Sequence, residues 1–140
     1  MAYDFQVSVD CTDPHTLADW WAETLGWDVE SQDEAFIKEM IAKGYATDAE
    51  TTHHGGRLVW RSGAAIRHPE TARRMLFQFD EAAKTVKNRM HVDVFVGEEK
   101  RNAVRDRLIE RGAIHLWDGR QGPHSWVTMA DPEGNEFCIT

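Results

Sequence analysis

The chain has 140 residues, 41% of them hydrophobic and 29% charged, which is the profile of a globular protein and not of a disordered one. With 24 acidic against 16 basic residues its formal charge is −8, so a phosphate backbone would be repelled and nucleic acid is not expected as a partner. No apolar run approaches membrane-spanning length and no basic-then-apolar leader opens the chain. No membrane association is therefore expected, and the cytoplasm is the expected location, with Cys11 and Cys138 as reduced thiols.

In chain order, Phe5–Cys11 alternates with a period of two and predicts a strand. Phe5, Val7, Val9 and Cys11 face one way, and Gln6, Ser8 and Asp10 the other. Asp13 is placed to cap a helix, and Pro14 suits its first position, where the missing N–H would have no helical partner anyway. Leu17, Trp20, Trp21 and Leu25 recur at helical spacing, and Gly26 suits a left-handed stop. Trp27–Glu30 predicts a short strand, and Ala35–Gly44 a helix with Phe36, Ile37, Met40 and Ile41 as its apolar side. Thr47–Gly56 is polar, ends in His53-His54-Gly55-Gly56 and reads as a loop. Arg57–Arg61 and Arg74–Phe79 predict strands on either side of a turn near Arg67-His68-Pro69.

The pattern then starts again. Met90, Val92, Val94 and Val96 form the apolar face of a second alternating strand, with His91, Asp93 and Phe95 opposite. Glu98 and Glu99 open the helix that follows, and Arg107 and Arg111 lie near its end, both favourable for the helix dipole. Strands are expected at Ile114–Trp117, Ser125–Met129 and Glu136–Ile139, the last two joined by the turn Asp131-Pro132-Glu133-Gly134-Asn135. Two copies of a strand, a helix and three strands imply an α+β domain spanning 1–140. Its first module covers about 1–82 with an insertion at about 31–56, and its second about 88–140. Duplication on this scale points to a site built between the two halves.

These residues resemble the vicinal oxygen chelate superfamily, in particular its glyoxalase-like (glyoxalase/bleomycin-resistance) domains. The resemblance rests on Val9-Asp10-Cys11-Thr12-Asp13-Pro14, on Trp20-Trp21 with Leu25-Gly26-Trp27, on Asn88-Arg89-Met90-His91-Val92-Asp93, and on Asp131-Pro132-Glu133-Gly134-Asn135-Glu136-Phe137-Cys138. It implies two βαβββ modules whose curved sheets enclose a central cavity. In active members one ligand from each of four strands holds a divalent metal that chelates vicinal oxygens of a substrate, in lyase, isomerase or dioxygenase chemistry. Other members sequester drugs in the same cavity without metal. Members often dimerise, so a homodimer, or an interaction domain with a vestigial cavity, is the further reading.

Carried over by position, the metal ligands fall on Gln6, Gln78, His91 and Cys138. Two amides and a soft thiol, with no carboxylate, are poor donors for a hard cation, so a divalent metal is disfavoured as a cofactor. Whether the protein is an enzyme is left open. The polar strand faces supply the expected cavity wall: Gln6, Ser8, Asp10, Gln78, His91 and Asp93. Trp60, Trp117 and Trp126 lie on strands where an indole can stack on a flat ligand, Trp60 and Trp126 being taken as cavity residues. A small organic molecule between the modules is the expected partner. His91 reads either as a hydrogen-bonded structural histidine, paired with Asp10 or Asp93, or as a ligand-contacting residue, and such an imidazole–carboxylate pair would make it an acid–base group. Glu136 shares a strand face with Cys138 and reads as an exposed acid beside the turn, or as a ligand if the register shifts. His53 and His54 read as solvated, and Trp20, Trp21 and Trp27 as core.

Overall fold

The computed structural model describes residues 1–140. Contacts divide the chain into two units, Met1–Ala83 and Lys84–Thr140.

The first unit opens with β1 (Val7–Cys11), whose burial alternates as its sequence does. Helix α1 (Pro14–Leu25) follows. Asp13 Oδ1 accepts from the Thr16 N–H at 3.2 Å, and Gly26 ends the helix at φ 68°. Leu17, Trp20 and Trp21 are buried on the inner stripe, each burial contributing about 1.5–3 kcal/mol. After β2 (Asp28–Val29) come α2 (Glu34–Ala42), a short 3₁₀ turn at Asp48–Glu50, β3 (Thr51–His54) and β4 (Arg57–Trp60). Then β5 (Gly63–Arg67) and β6 (Arg74–Phe79) complete a four-stranded sheet in the order β1-β6-β5-β2, with β1 and β6 parallel.

The second unit repeats this order. It comprises β7 (Asp93–Val94), α3 (Arg101–Glu110), β8 (Ile114–Gln121), β9 (His124–Ala130) and β10 (Glu136–Ile139). Its sheet runs β7-β10-β9-β8, again with the first and last strands parallel. One face of this sheet, Val127, Met129, Phe137 and Ile139, is buried, as is Leu108 of α3. Asp131, itself buried, ties the turn before β10 by accepting from the Glu133 and Asn135 N–H groups at 2.9 and 3.0 Å. The α+β class and the βαβββ order expected from the sequence are what the chain adopts.

Several local expectations need correction. Thr47–Gly56 is not a loop, because β3 and β4 pair in register from Thr51↔Trp60 to His54↔Arg57. Gly55 and Gly56, at φ 57° and 77°, form the two-residue turn of that hairpin, which only residues free to take positive φ form without strain. The insertion therefore extends through Trp60 and carries a hairpin of its own. Strand β5 lies where only a turn was expected. Ala64 and Ala65 have too little side chain to signal the burial they in fact have.

In the second unit Glu98 and Glu99 stand before α3, not in its first turn. The Val96 and Gly97 N–H groups both donate to the Thr140 carbonyl, and Gly97 turns at φ 87°, delaying the helix to Arg101. The Met90–Val96 strand narrows to Asp93–Val94, and Met90 is exposed instead of forming an apolar face. Phe5 and Phe36 are likewise exposed rather than packed.

Candidate functional site

The other face of the second unit's sheet is built from side chains that the pleat turns away from Val127, Met129, Phe137 and Ile139. Cys138 on β10 pairs with Asp93 of β7 on one side and with Thr128 of β9 on the other, and Thr128 pairs with Trp117 of β8. One row across four strands therefore reads Asp93, Cys138, Thr128, Trp117. Flanking it on the same face are His91, Glu136, Trp126 and Thr140, and with Lys87 they line a cavity of about 340 Å³.

Three donors converge within this cavity. One donor atom each from His91, Asp93 and Cys138 lies within 4.8 Å of the others, and His91 Nδ1 stands 3.4 Å from Asp93 Oδ1. Of the two partners considered for His91, the structure supplies Asp93. Cys138 is buried, with its sulfur 3.4 Å from Thr128 Oγ1. Burial pushes its thiol above the ordinary value. The Thr128 hydroxyl opposes that shift, and the carboxylate of Asp93 adds to it. A thiol held protonated in this way is a poor nucleophile.

Glu136 is not the exposed acid expected beside the turn; its side chain is only 12% exposed. Lys84 Nζ lies 2.9 Å from Oε1, and the Asn88 N–H donates to Oε2 at 2.9 Å. Burial pushes this carboxyl up, but the hydrogen bonds from Lys84, Asn88 and its own backbone outweigh it, and the result is below the ordinary value. Trp126 reaches the cavity because it lies opposite Gly119 in the β8–β9 register. A β-carbon at Gly119 would collide with its indole.

The other expected site residues belong to the first unit. Gln6, Ser8, Asp10 and Gln78 are exposed, with Asp10 and Gln78 paired in the β1–β6 register. The Gln6 amide oxygen accepts from Arg74 Nη1 at 3.4 Å. Arg74 is in turn clamped to both Glu30 oxygens at 2.9 Å, and Arg67 Nη2 adds a bond of 2.8 Å to Oε1. A guanidinium beside Gln6, and an amide at Gln78, make a poor donor set for a divalent cation. Trp60 sits on the insertion hairpin, outside the four-stranded sheet. Its N–H donates to Gln32 Oε1, and its carbonyl lies 2.8 Å from His15 Nε2.

The histidine pair read as solvated is partly tied down. His54 Nε2 stands 2.6 Å from Asp19 Oδ2, and its ring stacks on that of buried His15 at 5.4 Å. His15, His53, His54 and Arg61 share a smaller cavity of about 250 Å³ in the first unit.

Sequence reasoning missed Lys87, Thr128, Gly119 and His15. Thr128 and Gly119 were visible only to a reader who already had the strand register, since each matters through the residue opposite. His15 carries no sequence signal, because its partner Trp60 lies across a long insertion.

The glyoxalase-like domain family matches residues 6–140, and the chain belongs to that family. Solved structures agree on the fold. The fosfomycin resistance protein FosX of Listeria monocytogenes, a mutant of which is described in complex with Mn(II) and dihydroxypropylphosphonic acid, aligns at TM-score 0.65 and 6% identity. That alignment covers 99% of this chain and 91% of FosX. A member of the glyoxalase/bleomycin resistance protein/dioxygenase superfamily from Sphaerobacter thermophilus aligns at TM-score 0.59 and 13% identity, covering 99% and 96%. A hypothetical protein from S. aureus aligns at 0.61 and 12%, covering 99% and 96%. Among functionally curated proteins nothing matches the chain.

Proposed function

We propose that this glyoxalase-like protein binds a small organic molecule, with a flat apolar part and a polar part, on the open sheet face of the second unit. The observation that carries the reading is the composition of the 340 Å³ cavity. Two tryptophans stand at one end of a row whose other end is His91, Asp93 and Cys138. Indole faces stack on flat rings, while the imidazole and carboxylate select polar atoms. Its volume falls in the range of small-molecule sites, about 300–1,000 Å³.

Any reaction there falls to His91. It is the cavity group suited to taking and returning a proton, and Asp93 at 3.4 Å orients its ring. Cys138 does not serve as a nucleophile in this reading, since burial holds the thiol protonated. The family's hard-metal chemistry is not part of it either, because Gln6 beside Arg74 and the amide of Gln78 do not suit such an ion.

Tryptophan fluorescence tests the reading directly. A panel of small aromatic and polar compounds should contain ligands that quench the emission, and Trp126→Phe should weaken that response about tenfold or more, a loss of about 1.4 kcal/mol. Failure of the whole panel, or an unchanged response in the variant, would overturn it. Turnover of a bound compound that disappears in His91→Ala while binding persists would identify an enzyme. Binding without turnover would identify a sequestering protein.

A further inference from the structure

The second unit's donor set departs from the positions the family would use for metal, and that departure carries a proposal of its own. Of the four carried-over positions, only His91 and Cys138 belong to this unit. The residue that joins them is Asp93, which the family resemblance does not place among the ligands. Asp93 and Cys138 are direct partners across β7 and β10, and His91 stands two residues before Asp93 on the same side. The three donors come from two adjacent strands of one sheet, so a single unit suffices to present them.

We propose that His91, Asp93 and Cys138 form a three-ligand site for a borderline-soft divalent cation of the zinc class, with its fourth position open to the tryptophan-lined cavity. This rests on the reading of the cavity as the functional site but names what the site holds: with the cation bound, His91 serves as a ligand in place of the proton-carrying role given to it above. Zinc accepts imidazole, carboxylate and thiolate together at about 2.0–2.3 Å, which places donors of a tetrahedral site about 3.5 Å apart. His91 Nδ1 and Asp93 Oδ1 already stand at 3.4 Å. All three donors lie within 4.8 Å, so a shift of about 1 Å in side-chain position closes the set.

The scaffold is firm where the soft ligand sits. Cys138 is buried on an interior strand, its N–H donates to the Val92 carbonyl at 2.9 Å, and the Thr128 hydroxyl lies 3.4 Å from its sulfur. That hydroxyl is placed to donate to a thiolate, the outer contact that orients a metal ligand. His91 and Asp93 are half exposed and free to adjust. On binding, Cys138 gives up its S–H proton to solvent and a metal–sulfur bond forms. Two anionic ligands then balance the two charges of the cation. Three protein ligands with an open position is the arrangement of catalytic and not of structural zinc.

Cobalt(II) is the probe, since a thiolate ligand gives it a near-ultraviolet charge-transfer absorption that oxygen and nitrogen ligands do not. Titration of chelator-treated full-length protein with cobalt should reach one equivalent with that absorption and release one proton per ion at neutral pH, and zinc should displace the cobalt without further proton release. Cys138→Ser should abolish the absorption. Asp93→Asn, an exposed substitution that leaves the core untouched, should weaken zinc binding about tenfold or more. The paired variant Gln6→Ala with Gln78→Ala should leave affinity unchanged. Absence of the absorption, an unaltered affinity in Asp93→Asn, or loss of affinity in the paired variant would each overturn the proposal. If the metal-free protein still shows Trp126-dependent quenching by organic ligands in those cases, the cavity reading stands and only the metal assignment falls.

Discussion

Glu136 shows how much a single side chain can contribute beyond its sequence context. In the sequence it is one more acid after an Asp-Pro turn; in the fold it anchors Lys84 and the Asn88 N–H and closes one side of the cavity. Glu136→Gln keeps the shape but loses the ion pair, and should lower stability by about 1–2 kcal/mol at neutral pH, read from urea midpoints. The carboxyl is held below its ordinary value in the folded state, so its contribution is present above the unfolded value near 4.5 and is lost as pH falls through the folded one. The gap between wild type and variant should therefore be full at neutral pH and close in acid. A gap that widened on acidification would contradict the ion-pair account. His91 was legible as a polar residue on an alternating strand. That Asp93 stands beside it was not, because Asp10 satisfies the alternation equally well.

At the scale of elements, β8 and β9 illustrate why strand register matters to function. Trp126 can lie across β8 only because Gly119 stands opposite it with no side chain. Gly119→Ala should cost about 1–3 kcal/mol by overpacking, displace the indole, and weaken ligand quenching along with it. Unchanged emission and unchanged stability would show that the indole has room to spare. The hairpin β3–β4 gives the complementary lesson. Thr-Thr-His-His has little hydrophobic content, so its period carried no strand signal. Its Gly55-Gly56 turn, the strongest hairpin cue in the segment, was read as loop punctuation. Gln32 then fastens this hairpin to the sheet, donating to the Gly63 carbonyl and accepting from Trp60, each at 2.8 Å. A contact between residues so far apart in the chain leaves no local trace.

At the scale of the whole molecule, the chain carries large apolar side chains that its own fold leaves in water. Phe5, Met90 and Phe95 are 86%, 89% and 87% exposed, although each lies in a segment whose alternation predicts a strand. We propose on this ground the dimer that the family resemblance implies. Sedimentation at micromolar concentration should give a dimer, and Phe95→Glu should shift the equilibrium toward monomer at least tenfold. A monomer at every concentration would remove the dimer from consideration. No helix is long and apolar enough to cross a membrane.

By itself the sequence determined the βαβββ order of the second unit, the cap and stop of α1, the buried stripe at Leu17, Trp20 and Trp21, and the turn that leads into β10. All of these are encoded by residues within a few positions of one another, where periodicity and backbone preference act directly. Tertiary structure alone decided that Asp93, Cys138, Thr128 and Trp117 form one row, that Glu136 is tied down, and that Gln6 faces a guanidinium. Each depends on which strand lies beside which and in what register, and local propensity holds no record of that.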